Sequence, residues 1–385
     1  MKAKEIRALT GVRGVAALVV TFYHYFGAIG AASPSWPQRL ANRGYICVDL
    51  FFILSGYLMA RTYGPSFKRA PGFATWRDFM LRRFARIYPL YGTALVVCVA
   101  AAWLLFHDPR HMHPLFAINL PHPARDIVFN ALLIQGWSLA PSALVPGWSL
   151  STEWAAYFLF PLLVWLALGR SRLVVALTVA GAVGLLALVI LIDRHDGLLH
   201  GGALDASHGE VPAALLRSLA GFTLGMVTSR LEPHRVAGLF RDDRAGLALL
   251  GLLLLAWVSH GPDVLVYALF PPLVLCLAVN RGRVAWLFPC WPVYWLGLLS
   301  YAIYLLHFQF RALLWVLEGT LASHLPSALA IMLAAAFTYM AVIGTAFACY
   351  RLIEVPGRNL VRAFGRKRAA AEFNNAPQGW RSPGS

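Results

Sequence analysis

Apolar runs long enough to cross a membrane recur from one end of this 385-residue chain to the other. A helix of roughly 20 apolar residues crosses about 30 Å of hydrocarbon. On that length the sequence offers ten candidate spans, at 12–31, 46–62, 88–106, 147–168, 173–192, 212–230, 245–260, 264–280, 290–309 and 327–349. The expected fold class is therefore all-α, a polytopic transmembrane helix bundle. The stretch 126–137 (DIVFNALLIQGW) is too short to span and reads as interfacial or re-entrant. Composition agrees: hydrophobic residues make up 59% and charged residues 13%, about half the roughly 25% charged content of soluble domains. The first run is longer than a signal-peptide core and carries both a charged residue and a His, so it reads as a span.

A net charge of +16 would point to nucleic acid in a soluble protein, but here the charge follows topology. With the N-terminus cytoplasmic, 26 of the 33 Lys and Arg fall on the cytoplasmic side, the others being Arg39, Arg43, Arg110, Arg125, Arg194, Arg217 and Arg311. This predicts both termini inside, membrane lipid as the surrounding partner, and no nucleic acid. The five cysteines lie in or beside apolar runs without disulfide or metal spacing and read as packing residues. His107, His111, His113 and His122 crowd one outside loop, but no Cys or nearby Glu joins them, and no metal is expected. No internal repeat is evident. The expected organisation is one membrane domain over 1–360 and a polar, disordered tail over 361–385.

Ionisable groups within spans are costly, so each is a functional candidate. Away from span ends these are Arg13, His24, Asp49, Glu153 and His307. Arg13 and His24 are eleven steps apart on the first helix, which returns them to nearly one face at a separation of roughly 16 Å. A snorkelling Arg and a helix-bridging His would be the bland interpretation. Asp49 opens the second run one turn in. Arg82, Arg83 and Arg86 crowd the expected start of the third, where free backbone donors and the helix dipole would assist phosphate binding. Simple positive-inside anchoring is the alternative. The fourth run opens GWSLSTE, placing Trp148, Ser149 and Ser151 beside Glu153, a set suited to sugar hydroxyls or to an interfacial belt. Ser300, Tyr304 and His307 share a face late in the chain, with His307 near the outer end.

Taken in order, Arg13-x10-His24, VDLFFILSGY, Arg83-x2-Arg86 before IYP, GWSLSTE, LLSYAIYLLH and the closing YRLIEVPGRNL resemble the acyltransferase-3 family of membrane proteins, over about residues 4–360. The resemblance implies an O-acyltransferase of the bacterial cytoplasmic (inner) membrane. It would move an acyl group, most often acetyl, from cytoplasmic acetyl-CoA (acyl-CoA) to a hydroxyl of a carbohydrate, working beside polysaccharide assembly proteins. Acceptors in the family range from peptidoglycan and exported polysaccharide to macrolides. It also implies that Arg13 and His24 are the essential pair and that Arg83 and Arg86, with Arg82 beside them, meet coenzyme phosphates. The family's fourth-helix motif continues with a second acid and a Gln, whereas Glu153 is followed by Trp154 and Ala155, which leaves the acidic role to Glu153. An esterase-like domain appended in some relatives is not seen in this sequence, so the expectation is action alone or with a separate protein.

Phosphates held by Arg13, Arg83 and Arg86 would let the pantetheine arm bring its thioester to His24. The imidazole can then act as general base or take the acyl group itself. Direct attack is favoured, because an acyl-imidazole would hydrolyse where outside water reaches it. Asp49 or Glu153 would orient the ring, and Asp49, Trp148, Ser149, Ser151, Tyr304 and His307 are the candidate acceptor contacts. A transporter that uses the same charges as a proton or substrate pathway is the rival reading. It does not account for three arginines at one helix start.

Overall fold

The computed structural model describes residues 5–27, 36–106, 120–196, 202–205 and 212–374. Every candidate run is mostly helix where it is described, and no strand occurs among the described residues. The main helices are α1 (Arg7–Phe26), α2 (Cys47–Arg69), α3 (Phe73–Phe106), α4 (Gly147–Phe158), α5 (Phe160–Leu168), α6 (Arg172–Asp196), α7 (Ala213–Leu231), α8 (Asp243–Val258), α9 (Asp263–Val279), α10 (Trp291–Leu306), α11 (Arg311–Ala322), α12 (Ser327–Cys349) and α13 (Val355–Asn374). This is an all-α membrane bundle. Its exposed leucines, valines, methionines and phenylalanines on α6, α8 and α12 are the side chains a lipid surface tolerates.

Among the described residues, five segments are long and apolar enough to cross on their own: Gly44–Arg69, Phe73–Leu104, Arg172–Ile192, Trp291–Ala322 and Ser327–Phe364. The run expected at 147–168 is two helices, α4 and α5, meeting at 69°. Pro161 explains the bend, since it lacks an N–H and its ring crowds the carbonyl four residues back, on Tyr157. Helices α8 and α9 have 16 and 17 residues, or about 24–26 Å at 1.5 Å per residue, which is shorter than a full hydrocarbon crossing.

Three local expectations change. The basic segment 61–87 is helix on either side of 70–72, not a loop, so Arg82, Arg83 and Arg86 lie about three turns inside α3. Their backbone N–H groups are used within the helix, and no helix N-terminus assists them. Past α10 the chain makes a tight turn at His307–Phe310 and continues as α11, a helix the apolar count did not separate. The tail expected to be disordered from 361 is helical through Asn374. The loop histidines His107, His111 and His113 lie outside the described residues, as do 197–201, 206–211 and 375–385.

Small residues set the helix contacts that position the site, as is general where lipid removes the hydrophobic drive between helices. A Cβ on Gly14 would fall 2.5 Å from the Gly297 nitrogen, and one on Gly297 would fall 2.1 Å from the Thr10 carbonyl oxygen. Helices α1 and α10 therefore touch backbone to backbone. Helices α2 and α7 do the same through Gly56 against Phe222 and Gly225 against Ile53. Across that second contact runs a fully buried ion pair, with Arg217 Nε and Nη2 donating to the two Asp49 oxygens at 2.7 and 2.6 Å.

Candidate active site

Five helices surround a cleft that is partly open to solvent. Helix α1 supplies Arg13, α3 supplies Arg83 and Arg86, α4 supplies Ser149, Glu153 and Tyr157, and α10 supplies Ser300, Tyr301 and Tyr304. The wall from α2 is mostly apolar, with Ser55 as its polar member.

At one end the cleft gathers cations. Arg83 donates to the Tyr63 hydroxyl at 2.8 Å and lies over the Tyr63 ring, and its Nε is buried without a hydrogen-bond partner. Arg86 pairs with Glu354 and lies 5.1 Å over the Tyr301 ring. Glu354 belongs to a short π-helical turn, Tyr350–Glu354, that brings a nearly buried carboxylate to the cleft, with Oε1 unpartnered. Arg13 has Arg86, Glu153, Tyr157 and Glu354 as its charged and phenolic neighbours. It makes no hydrogen bond among the described residues. Three guanidiniums face two carboxylates, which leaves a net positive end suited to an anion of several charges. Glu153 accepts from the Ser55 hydroxyl, and from Tyr157 at 2.5 Å.

At the other end, Ser149 and Tyr304 hydroxyls meet at 2.7 Å. One turn further, His307 is fully buried, with Nδ1 2.7 Å from the Tyr304 carbonyl oxygen and Nε2 3.1 Å from His24 Nδ1. His24 Nδ1 also lies 3.1 Å from the Val20 carbonyl oxygen. Phe308 and Tyr23 stand edge-on to the His24 ring, at 5.2 and 4.8 Å between centroids. Tyr23 is held in turn by Asp205, whose carboxylate accepts from its hydroxyl at 3.0 Å.

A family model described as an acyltransferase domain matches residues 6–351. The chain belongs to the acyltransferase-3 family. Among curated relatives, a putative peptidoglycan O-acetyltransferase of Bacillus subtilis is 24% identical over 79% of this chain and 48% of its own length. The peptidoglycan O-acetyltransferase of Listeria monocytogenes is 25% identical over 79% of this chain and 49% of its own. An acyltransferase of Streptomyces mycarofaciens is 32% identical over 43% of this chain and 41% of its own. The chain thus spans about half the length of the curated relatives it matches. No solved structure matches it. The family's description is that of an acyltransferase domain, and the transporter reading has no comparable support.

Within this acyltransferase fold the sequence candidates separate. Arg13, Arg83, Arg86, Ser149, Glu153 and Tyr304 meet in the cleft, and His24 and His307 meet beyond it. Four others are placed elsewhere. Arg82 points away, paired with Asp78 four residues back and about half exposed, because it is one residue off the face that carries Arg83 and Arg86. Asp49 is committed to Arg217, so it is neither an acceptor contact nor the group that orients His24. Trp148 packs against Phe52 and under the Arg217 guanidinium. Ser151 braces the chain reversal at 133–137, donating to the Leu133 carbonyl and accepting from the Gly136 N–H. Glu153 sits among the arginines and their tyrosines, so neither expected acid reaches the imidazole. Two participants were missed. Arg217 stands in the sequence only among the arginines off the cytoplasmic side, and its pairing with Asp49 across helices is what marks it. Glu354 stood in the closing motif but was given no role.

Proposed function

We propose that the chain transfers an acetyl group from acetyl-CoA to a carbohydrate hydroxyl, with the coenzyme phosphates at Arg13, Arg83 and Arg86 and His24 as general base. The carrying observation is the convergence of three guanidiniums from two helices on one cleft, with the His24 imidazole beyond it held against the buried His307. The residues present fit the donor. A diphosphate and a ribose phosphate bring several negative charges, and the cationic end offers unpartnered donors on Arg13 and Arg83. The apolar α2 wall suits the pantetheine chain.

In the favoured reaction an acceptor hydroxyl attacks the thioester carbonyl while His24 takes its proton. The tetrahedral oxyanion collapses, the carbon–sulfur bond breaks, and the departing thiolate recovers the proton from the imidazolium. An O-acetyl ester and coenzyme A thiol result. The names of the Bacillus and Listeria relatives favour a glycan such as peptidoglycan as acceptor.

The test uses purified protein in nanodiscs with radiolabelled acetyl-CoA and soluble, uncrosslinked peptidoglycan strands. Wild type should put base-labile label on the strands and release one thiol per label. His24→Ala should lose transfer and keep acetyl-CoA binding. Full transfer by normally folded His24→Ala protein overturns the assignment, and label retained on wild type without acceptor establishes an acyl-enzyme route in place of direct attack.

A further inference from the structure

The register of α1 against α10 brings two imidazoles together at one depth. Gly14 meets Gly297 at one level and His24 meets His307 ten residues later on both helices, so the two helices run parallel. Two histidines in contact share one hydrogen between two nitrogens, and their surroundings decide which nitrogen carries it.

Here two backbone carbonyls decide. A carbonyl oxygen cannot donate, so the 2.7 Å contact from the Tyr304 carbonyl to His307 Nδ1 requires a hydrogen on Nδ1. Neutral His307 then presents a lone pair at Nε2. That lone pair and the Val20 carbonyl oxygen both face His24 Nδ1 at 3.1 Å, so Nδ1 of His24 must carry its hydrogen as well. The basic lone pair of His24 is thereby assigned to Nε2.

We propose that His307 is a positioning residue that holds His24 as the Nδ1–H tautomer, with Nε2 as the atom that accepts the acceptor's proton. When Nε2 takes that proton, the Nδ1–H···Nε2 bond to His307 becomes charge-assisted and strengthens, as in other sites where a second group orients a catalytic imidazole. The role a carboxylate fills in many hydrolases is filled here by a neutral imidazole. Asp49 and Glu153 are engaged elsewhere, and a neutral partner places no second charge in the bundle interior. The proton balance is complete within the reaction: His307 neither gains nor loses a proton, and the thiolate leaves with the one His24 received. A simple helix-bridging His pair is the competing view. It predicts lost stability without a kinetic split.

The inference rests on His24 being the base, and one experiment separates the two claims. Wild type, His24→Ala, His307→Phe and His307→Gln are compared in nanodiscs with acetyl-CoA and peptidoglycan strands, alongside thermal unfolding. His307→Phe keeps the ring volume and removes the acceptor, and should lower kcat at least 100-fold with KM for acetyl-CoA within about threefold. His307→Gln supplies a carbonyl oxygen and should recover at least tenfold over Phe. Equal kcat in His307→Phe and wild type overturns the inference, as does a loss confined to KM. Equal defects in Phe and Gln that track unfolding temperature assign the pair a structural role. If His24→Ala is as active as wild type, the base assignment itself fails, whatever His307 does.

Discussion

Replacing Gly297 by alanine adds one methyl group at the closest backbone approach between α1 and α10. Its Cβ would lie 2.1 Å from the Thr10 carbonyl oxygen and 2.5 Å from the Thr10 carbonyl carbon, where ordinary contact begins near 3.4 Å. Neither atom belongs to a side chain that could rotate aside, so the helices must separate by about 1.3 Å, as interiors at crystal-like density leave no slack. Because α1 and α10 are parallel and in register, that displacement is carried ten residues along both to His24 and His307. Their 3.1 Å contact would open to more than 4 Å, beyond a hydrogen bond. A misplacement of about 1 Å costs on the order of 100-fold in rate, or about 2.7 kcal/mol of transition-state stabilisation. Overpacking costs about 1–3 kcal/mol of stability, and the better helix propensity of alanine returns about 1 kcal/mol. The net loss of stability is then small beside the loss of rate.

The assay measures acetyl transfer under single-turnover conditions and the unfolding temperature on the same preparation. The control is Gly319→Ala in α11, where an added Cβ meets nothing within 4 Å. Gly297→Ala should lose about 100-fold in rate with unfolding lowered by only a few degrees, and Gly319→Ala should match wild type. Wild-type turnover by well-folded Gly297→Ala protein would falsify the idea that backbone contact at Gly14 and Gly297 sets the histidine geometry.

Three further outcomes follow from the same geometry. Arg83→Ala should weaken acetyl-CoA binding by about 10- to 100-fold, the worth of one charge-assisted contact, and Arg82→Ala should change it less than twofold, as equilibrium binding of labelled coenzyme would report. Glu354→Gln removes the carboxylate that competes with phosphate for Arg86, so its donor affinity should rise by severalfold, and a fall would show that Glu354 holds Arg86 in its binding position. Asp49→Asn leaves the Arg217 guanidinium buried without its counter-ion and should destabilise the fold by about 3–5 kcal/mol, with the Asp49→Asn/Arg217→Gln pair losing less than the two single changes summed when unfolding is followed by intrinsic fluorescence.

Helix positions were legible because hydrocarbon thickness fixes how many apolar residues a span needs, and composition alone carries that signal. Helix ends were not: Gly64-Pro65 reads as a stop, yet the helix runs through it to Arg69, and charged residues continue it outside the apolar window. Arg83 and Arg86 line the cleft and Arg82 does not, and the assistance expected from a helix N-terminus depended on a boundary that moved by about fifteen residues, from 88 to Phe73. Glu153 was readable as a polar group within a span, but its partners Ser55 and Tyr157 involve the contact between two helices, which no single-helix pattern contains. Arg217 shows the same limit. Five residues from a predicted span boundary, it looks like an anchor until Asp49 is found opposite.

The Arg13-x10-His24 spacing acquires a physical meaning once α10 is included. On α1 alone, eleven steps bring two polar residues to one face, and any pair at that spacing would do. Against a parallel helix the spacing is doubly constrained. Arg13 must lie beside the glycine contact, where the helices are closest and a long guanidinium can only turn outward into the cleft. His24 must lie where α10 has ended its regular helix, because only there is the Tyr304 carbonyl turned to meet the His307 ring. The Leu306–His307 junction, where α10 tightens into a 3-10 turn, therefore sets the upper level, and Gly14 sets the lower. A one-residue insertion in α1 between Gly14 and His24 would rotate the imidazole by about 100° and raise it by about 1.5 Å, taking it off His307 while leaving Arg13 in place. Such a variant should bind acetyl-CoA normally and transfer nothing. Weakened coenzyme binding would show instead that the two ends of the cleft are not independent.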